Sequence, residues 1–527
     1  SAVGEMGGSI GAEVHLERAP LKYAGLTYVE IWISEAQERM VLSVPAANVP
    51  ALEAICREEG VELADLGTFG TPGADLILNY KGTEVGRLPM HFLHDGIPMP
   101  TREAVWEGGR DKGTEGQRDR GSAGNGGTLS LCPSVTSSLL RLLAHPNIAS
   151  KHWIIRQYDH EVQGNVVAKP LVGPAGRGPG DAAVLEPIAG TNRGIALSQG
   201  LQTSVGDPAL GGDAYLMVLA AVDEVVRNLV CVGADPSRIA ILDNFCWPSC
   251  AEPRNLATLV RAAEGCYDAA KAYRTPFVSG KDSLNNQLRF KDPASGQERV
   301  IEIPPTLLVT GLGIVPAVSR TVTMDAKAAG NVLVVVGART TDELGASHYA
   351  QGGTTSAGTD AIPRVDLKLG PAAARAVAQM IKDGLVQSAH DCSEGGILTA
   401  VAEMLLASGS MEAPNKAGSL QDLLGKTTPG APAGPAPLGL EMKPELGSLE
   451  PAAFAFAENP SRYVLEVREA DLGKVRTVLT DFGASCGGLW HSVLGRLTAG
   501  GRLSWPAADL DLPVEDLFRA WHAPLDW

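Results

Sequence analysis

Glu458-Asn459-Pro460-Ser461-Arg462-Tyr463-Val464-Leu465-Glu466-Val467 repeats the pattern of Glu35-Ala36-Gln37-Glu38-Arg39-Met40-Val41-Leu42-Ser43-Val44. Both read E-x-x-x-R-x-V-L-x-V, a polar loop followed by the alternation of a strand. A helical stretch comes next in each, Ala47 to Glu59 and Glu469 to Phe482. A short Gly-bearing strand follows, Asp65-Leu66-Gly67-Thr68 in one and Ser492-Val493-Leu494-Gly495-Arg496 in the other. Upstream, Ala2-Val3-Gly4-Glu5-Met6 matches Ala400-Val401-Ala402-Glu403-Met404. The sequence therefore holds two copies of one folding unit. The Pro/Gly/Ala-rich stretch from about Asn415 to Leu440 lengthens the second copy and reads as a solvent loop. In that copy the helix is preceded by His390-Asp391-Cys392-Ser393-Glu394-Gly395-Gly396. The first copy begins just after the place of such a turn, so the N-terminus is expected to be incomplete, with a whole domain upstream.

The 527 residues, 44% of them hydrophobic, suggest about three domains at roughly 100–200 residues each. No apolar run approaches the ~18 residues of a membrane span, and Ser1 to Met6 lacks the basic and apolar regions of a signal peptide. A net charge of −16 argues against nucleic acid as the main partner, because phosphate neutralisation needs clustered Lys and Arg. The eight cysteines form no C-x-x-C pair. They read as reduced cytoplasmic thiols, with a metal site at Cys246 and Cys250 the other option. Glu107 to Gly127 has no hydrophobic period and reads as a flexible linker. From Gly180 to Val318 short apolar runs alternate with helical stretches, the pattern of an α+β or α/β domain.

Five places carry possible chemistry. In the helix expected over Asp213 to Val232, Glu224 and Asn228 lie one turn apart. They offer hard oxygen ligands for Mg²⁺, or belong to a solvated face with Asp223 and Arg227. Asp243-Asn244-Phe245 follows the buried strand Ile239 to Leu242. It marks either a ligand-facing strand end or an Asx turn before Pro248. Ser279-Gly280-Lys281-Asp282-Ser283 follows Pro276-Phe277-Val278. Gly280 permits close approach of a phosphate, Lys281 brings charge and Ser283 a hydroxyl; the other reading is a turn. At Asp391-Cys392-Ser393-Glu394-Gly395-Gly396 a helix start attracts anions and Asp391 brings a metal, or Ser393 is an N-cap. His390 reads as a structural neighbour. Glu35-Ala36-Gln37 precedes a strand and either binds a polar substrate or is a solvated loop. Arg39 and Arg462 read as structural, each pairing with a carboxylate.

Taken in order, these tracts resemble the synthetase region of phosphoribosylformylglycinamidine synthase. Supporting the likeness are Ile31 to Arg39, His145-Pro146-Asn147-Ile148-Ala149-Ser150-Lys151, Arg156 to Asn165, Val222 to Asn228, Asp243 to Phe245, Ser279 to Ser283 and Asp391 to Gly396. The resemblance implies a duplicated AIR-synthetase-like (PurM-like) architecture in the α+β / α/β class, with the first N-type domain missing. The implied boundaries are a first C-type domain at 1–88, a linker at 89–165 with 107–127 flexible, a second N-type ATP-binding domain at 166–320, a second C-type domain at 321–505 and a tail at 506–527. It implies an ATP-dependent ligase that converts formylglycinamide ribonucleotide and ammonia to formylglycinamidine ribonucleotide. By position, Glu35, Ala36, Gln37 and Ser283 resemble substrate contacts, and Asp243, Gly280 and Ser393 resemble ATP contacts. Glu224, Asn228 and Asp391 resemble Mg²⁺ ligands of a second, pseudo-symmetric nucleotide site. An acidic ligand of that site is expected near Ser198, where this chain has a hydroxyl.

The family's catalytic His is expected upstream, so no catalytic residue is assigned in this chain, and the chain alone is expected to be inactive. Its implied partners are the missing domain and a glutaminase subunit or domain supplying ammonia, with no nucleic acid and no membrane, in the cytoplasm. Two other readings stand beside it. One is another enzyme of the same superfamily, such as aminoimidazole ribonucleotide synthetase, selenophosphate synthetase or a thiamine-phosphate kinase, against which the duplication argues. The other is a non-catalytic nucleotide-holding scaffold.

Overall fold

The repeat is visible in the strand ladders of the computed structural model, which describes all residues except 1, 35–38, 97, 107–133, 294, 353–357, 412–433 and 526–527. The chain divides into two units, Ser1–Arg102 and Glu103–Trp527. The first contains α1 (Ala2–Met6), β1 (Ala12–His15), α2 (Tyr28–Ile33), α3 (Val49–Glu58), β2 (Gly67–Phe69), β3 (Asp75–Tyr80), β4 (Thr83–Pro89) and α4 (Met90–Asp95). Its sheet runs β2-β1-β3-β4 around a small core of Ala12, Val14, Leu16, Leu76 and Met90. The strand expected over Arg39 to Val44 does not form. Met40 is 88% exposed and Leu42 57%, and without a neighbour to receive their backbone donors these residues gain nothing from extension.

The second unit opens with α5 (Val135–Leu143) and α6 (His152–Ile155), which fall in the stretch read as a linker. Then come β5 (Val166–Ala168), β6 (Leu171–Val172), β7 (Gly178–Pro179), β8 (Ala183–Leu185), β9 (Gly194–Leu201), α7 (Thr203–Gly206), α8 (Ala214–Cys231), β10 (Ile239–Cys246), α9 (Pro253–Tyr273), β11 (Phe277–Ser283), β12 (Gln287–Lys291), β13 (Glu298–Glu302) and β14 (Thr306–Val315). Six of these strands form one sheet, β11-β10-β14-β9-β8-β5. Helix α8 starts on Asp213, whose carboxylate accepts the Tyr215 N–H, and packs between the sheet and α9. It is apolar nearly all round, as expected of a helix covered on several sides.

The remainder holds β15 (Val332–Gly337), α10 (His348–Gln351), α11 (Leu369–Lys382), β16 (Val386–Asp391), α12 (Gly396–Leu406), β17 (Gly439–Met442), α13 (Pro451–Phe456), β18 (Arg462–Val467), α14 (Leu472–Gly483), β19 (Trp490–Thr498), β20 (Arg502–Trp505), β21 (Leu510–Pro513) and α15 (Val514–His522). Its sheet runs β16-β18-β15-β19-β17-β20-β21. Strand β15, Val-Leu-Val-Val-Val-Gly, is buried on both faces. Val332, Val334 and Val336 join the core shared with α8 and α11, whereas Leu333 and Val335 face α5, α12 and α15. The stretch from 506, read as a tail, supplies β21 and α15 and buries Val514, Leu517, Phe518 and Trp521.

The ladder β19-β17-β20-β21 alternates antiparallel, parallel and antiparallel, as β2-β1-β3-β4 does. Val14 faces Gly67 as Met442 faces Gly495, and Ala12 lies beside Leu76 as Leu440 lies beside Leu503. A Cβ on Gly67 would run into the carbonyl of Glu13, and one on Gly495 into that of Glu441. Matching registers and matching close approaches make the two ladders copies of one another.

Candidate functional site

Helix α8 carries its polar residues inward. Asp223, Glu224 and Arg227 are all buried, so the solvated-face reading is overturned. The guanidinium of Arg227 pairs with Asp223 and donates to Asp391 Oδ2 at 3.3 Å and Ser393 Oγ at 2.6 Å. Asp223 also accepts the N–H of Ser461 at 2.8 Å and its hydroxyl at 2.6 Å. The end of β16 and the start of β18 are thereby tied to α8.

Beside this pair lies a cavity of about 360 Å³, large enough for a small ligand. Among its lining residues are Asn147, Lys151, Asp181, Asn228, Asp391 and Ser393. Asn228 donates to the carbonyl of Gln199 at 3.0 Å. Glu224 is buried nearby but does not line the cavity; its carboxylate accepts the Leu201 N–H at 2.8 Å and the Gln202 amide at 3.1 Å. Burial, with Glu394 and Asp391 close by, raises the Glu224 pKa well above the ordinary carboxylate value. Burial and Glu458 push Glu394 up to about 7.

An acidic ligand was expected near Ser198; the carboxylate that the fold sets beside Asp391 is Asp181. The Ser198 hydroxyl donates to the Val225 carbonyl at 3.0 Å and is satisfied within the fold. Asp181 Oδ1 accepts the Asp391 N–H at 2.9 Å and lies 2.9 Å from His390 Nδ1. Its Oδ2 is buried with no partner. Asp181, His390 and Asp391 place ligand atoms within 4.8 Å of one another. His390 is not the donor of choice. Burial opposes its charged form, but Asp181 on one nitrogen and Glu403 at 3.2 Å on the other outweigh it and raise its pKa well above the ordinary value. Each of its ring nitrogens is already turned to a carboxylate of the chain, so neither is free for a metal. Two buried carboxylates, one with an orphaned oxygen, fit a hard divalent cation in kind. The only sequence trace of Asp181 was a Gly-Asp pair ahead of an apolar strand, Gly180-Asp181-Ala182-Ala183-Val184.

Ser393 is not an N-cap, and it lines the cavity. Helix α12 starts at Gly396 after Gly395, and the Ser393 hydroxyl bonds Asp391 at 2.5 Å. The Gly395 N–H donates to Glu458 Oε1 at 2.7 Å, so a carboxylate of the chain itself occupies that donor. Arg462, fully buried, binds the carbonyls of Asn459 at 2.9 Å and Ala457 at 2.5 Å and the Thr340 hydroxyl at 3.0 Å. Its partners are backbone and hydroxyl oxygens, not the carboxylate expected, and Arg39 is exposed.

A second cluster lies on the outer strands of the six-stranded sheet. Strands β10 and β11 extend further than the sequence suggested, so Asp243 and the 279–283 segment lie on paired parallel strands and not in turns. Asp243 faces Gly280 and Cys246 faces Ser283. A Cβ on Gly280 would overlap the Asp243 carboxylate. Lys281 Nζ donates to the Ser283 hydroxyl. Burial and the neighbouring Asp282 raise the Asp243 pKa. Glu35, Ala36 and Gln37 lie outside the described residues. Among the described residues no helix is long and apolar enough to cross a membrane.

Comparison with known proteins agrees with the duplicated ladder. The family described as AIR synthase related protein, C-terminal domain, matches residues 1–77 and 328–505. Its N-terminal counterpart matches 179–315. The phosphoribosylformylglycinamidine synthase subunit PurL of Deinococcus radiodurans is 31% identical over 98% of this chain and 62% of its own length. That of Synechococcus sp. (strain CC9902) is 30% identical over 97% of this chain and 61% of its own length. The chain thus spans about three fifths of the curated relatives it matches. T. maritima PurL complexed with ADP shares the fold, with a TM-score of 0.50 and 20% identity over 93% of this chain and 60% of that one. The two AIR synthase related domain matches together span most of the chain, and over nearly its whole length the chain is similar to phosphoribosylformylglycinamidine synthase subunits.

Proposed function

We propose that the chain works in the ATP-dependent conversion of an amide to an amidine, taking formylglycinamide ribonucleotide, ATP and ammonia to formylglycinamidine ribonucleotide, ADP and phosphate. The amide oxygen takes the γ-phosphoryl group of ATP, ammonia adds to the carbon, and phosphate leaves with that oxygen. The observation that supports this best is the pairing of Asp243 with Gly280, which sets a carboxylate against glycine backbone next to Lys281 and Ser283. The lysine and hydroxyl are donors for a phosphate or a substrate oxygen. Glu35, Ala36 and Gln37 are assigned to the substrate on family position alone.

The carboxylate-lined cavity is assigned to a second nucleotide with Mg²⁺, held by Asp391 and Asp181 with Asn228 on the wall and Glu224 behind. The cation, when bound, neutralises phosphate charge. The domain limits proposed are 1–88, 166–320 and 321–505, with ammonia delivered by a glutaminase partner in the cytoplasm.

A scaffold reading is favoured by one observation. The Gly395 N–H and Ser393 hydroxyl near the cavity are already bonded inside the chain, which suits a site that holds rather than turns over its nucleotide. Incubating the chain with Mg²⁺, ATP, ammonia and formylglycinamide ribonucleotide separates the two. Phosphate release that depends on the amide supports the ligase and overturns the expected inactivity of the chain alone. ADP retained without turnover supports the scaffold, and failure to bind any nucleotide overturns both.

A further inference from the structure

Strand β19 outruns one of its neighbours. Toward β15 it is paired over residues 490–496, but toward β17 the ladder covers only 495–498 and closes with the Lys443 N–H on the Leu494 carbonyl at 2.8 Å. Among the described residues, 490–493 therefore form an open edge on that side, with every second N–H and C=O turned outward. A groove of about 410 Å³ lies along this edge. Glu441 on β17, with Lys443 and Glu445 beyond its end, lines one side, and Arg476 on α14 lines the other.

These charges are not matched within the fold. Glu469 and Arg496, which also line the groove, pair with each other at 2.5 Å. Glu441, Lys443, Glu445 and Arg476 make no side-chain hydrogen bond or ion pair with a described residue. The first copy provides the contrast. Its register sets Glu13, His15 and Glu17 at the places of Glu441, Lys443 and Glu445. There His15 lies 3.8 Å from Glu13 and 4.0 Å from Glu17, Glu13 accepts the Asn79 amide at 2.9 Å, and Glu17 accepts the Lys81 N–H at 3.1 Å. The second copy keeps both carboxylates and leaves the cation between them without a partner.

We propose that this groove binds a free α-amino acid. Arg476 and Lys443 attract its carboxylate, Glu441 and Glu445 its ammonium, and the open edge offers N–H groups to the first and carbonyls to the second. Two cations against two carboxylates match a zwitterion, whereas a bare anion would meet as much repulsion as attraction. Val332 and Val493 leave apolar surface for the ligand's side chain, and the volume is that of a small-molecule site. The groove lies at the Val332 end of β15. Asp391 of the carboxylate-lined cavity pairs with Tyr463 at the other end of the sheet, about 17 Å along the strands, so the two sites are separate.

Thermal melts of the whole chain at neutral pH with alanine, leucine, glutamine or glutamate, each at about 10 mM, test it. At least one is expected to raise the midpoint by about 2 °C or more, because a ligand held only by the folded state stabilises it. The N-acetyl and amide derivatives of that amino acid, each lacking one charge, are expected to shift it by less than half as much. Arg476→Gln and Glu445→Gln, both at exposed positions, are expected to keep the ligand-free midpoint and to lose about tenfold in affinity for it by calorimetry. Lys474→Gln, on α14 but outside the groove, is expected to bind as the unaltered chain does. No shift with any of the four, or unchanged affinity in Arg476→Gln, overturns the proposal. Equal binding of the N-acetyl derivative also overturns it, in favour of a plain carboxylate site.

Discussion

Arg227 and Asp391 meet across two elements, the guanidinium on α8 reaching the carboxylate at the end of β16 at 3.3 Å while it also pairs with Asp223 one helical turn away. Both ends of this network are buried, so it is costly to break in part. Removing one member of a buried pair leaves the other charge uncompensated, at about 3–5 kcal/mol. Arg227→Met is expected to destabilise by that amount in urea denaturation, and Asp223→Asn by less, because Ser461 and Tyr273 still bond the amide. If Arg227→Met unfolds at the same urea midpoint, the network does not hold α8 to the sheet.

Gly280→Ala puts a methyl group where the Asp243 carboxylate stands. Strand β11 is an edge strand, so the overlap is relieved by local displacement with little effect on folding. The expected result is an ATP affinity lowered by about tenfold, roughly 1.4 kcal/mol, with a thermal midpoint close to that of the unaltered chain. Fluorescence titration with a labelled ATP analogue reads this directly.

Asp181→Asn keeps the shape of the side chain and removes a charge. The orphaned Oδ2 becomes an atom with weak affinity for a hard cation, and His390 loses one of its two acidic partners. Nucleotide binding is expected to lose its dependence on Mg²⁺ in a titration from chelator to millimolar metal. Retention of the full magnesium dependence would move the cation site away from Asp181.

His348 gives a pH signature. Burial pulls its pKa down, but the hydrogen bond and charge of Glu458 outweigh this, so the folded value stands above the ordinary one. A raised histidine contributes stability in full below its unfolded pKa, about 6.5, and loses it as pH rises through the folded value. His348→Gln should therefore cost most below about pH 6 and progressively less in alkaline solution. Thermal melts of both chains across that range check the sign.

Sequence pattern revealed the duplication, helix α8 and the Asp391 segment because each is a local signal: a repeated ten-residue motif, an apolar run, a glycine-bearing turn. It misplaced what depends on long-range pairing. For Asp243 and Ser279 to Ser283 a turn stood beside the ligand-facing reading because polar residues follow short apolar runs, yet mutual pairing of β10 and β11 extends both as strands. Arg39 to Val44 has the same alternation as Arg462 to Val467, but only the second lies between partner strands, β16 and β15. Asp181 was missed because its partners, His390 and Asp391, are about 210 residues away. Lys151 closes the tract His145 to Lys151, but only the folded cavity gives it a neighbourhood.

The clamp between Trp521 and residues 148–150, in which the indole N–H donates to the Ile148 carbonyl at 3.0 Å, spans 373 positions of sequence. During synthesis, therefore, the cavity wall has no support until α15 has left the ribosome. Until then a nascent chain holds residues 148–150 without the indole that clamps them.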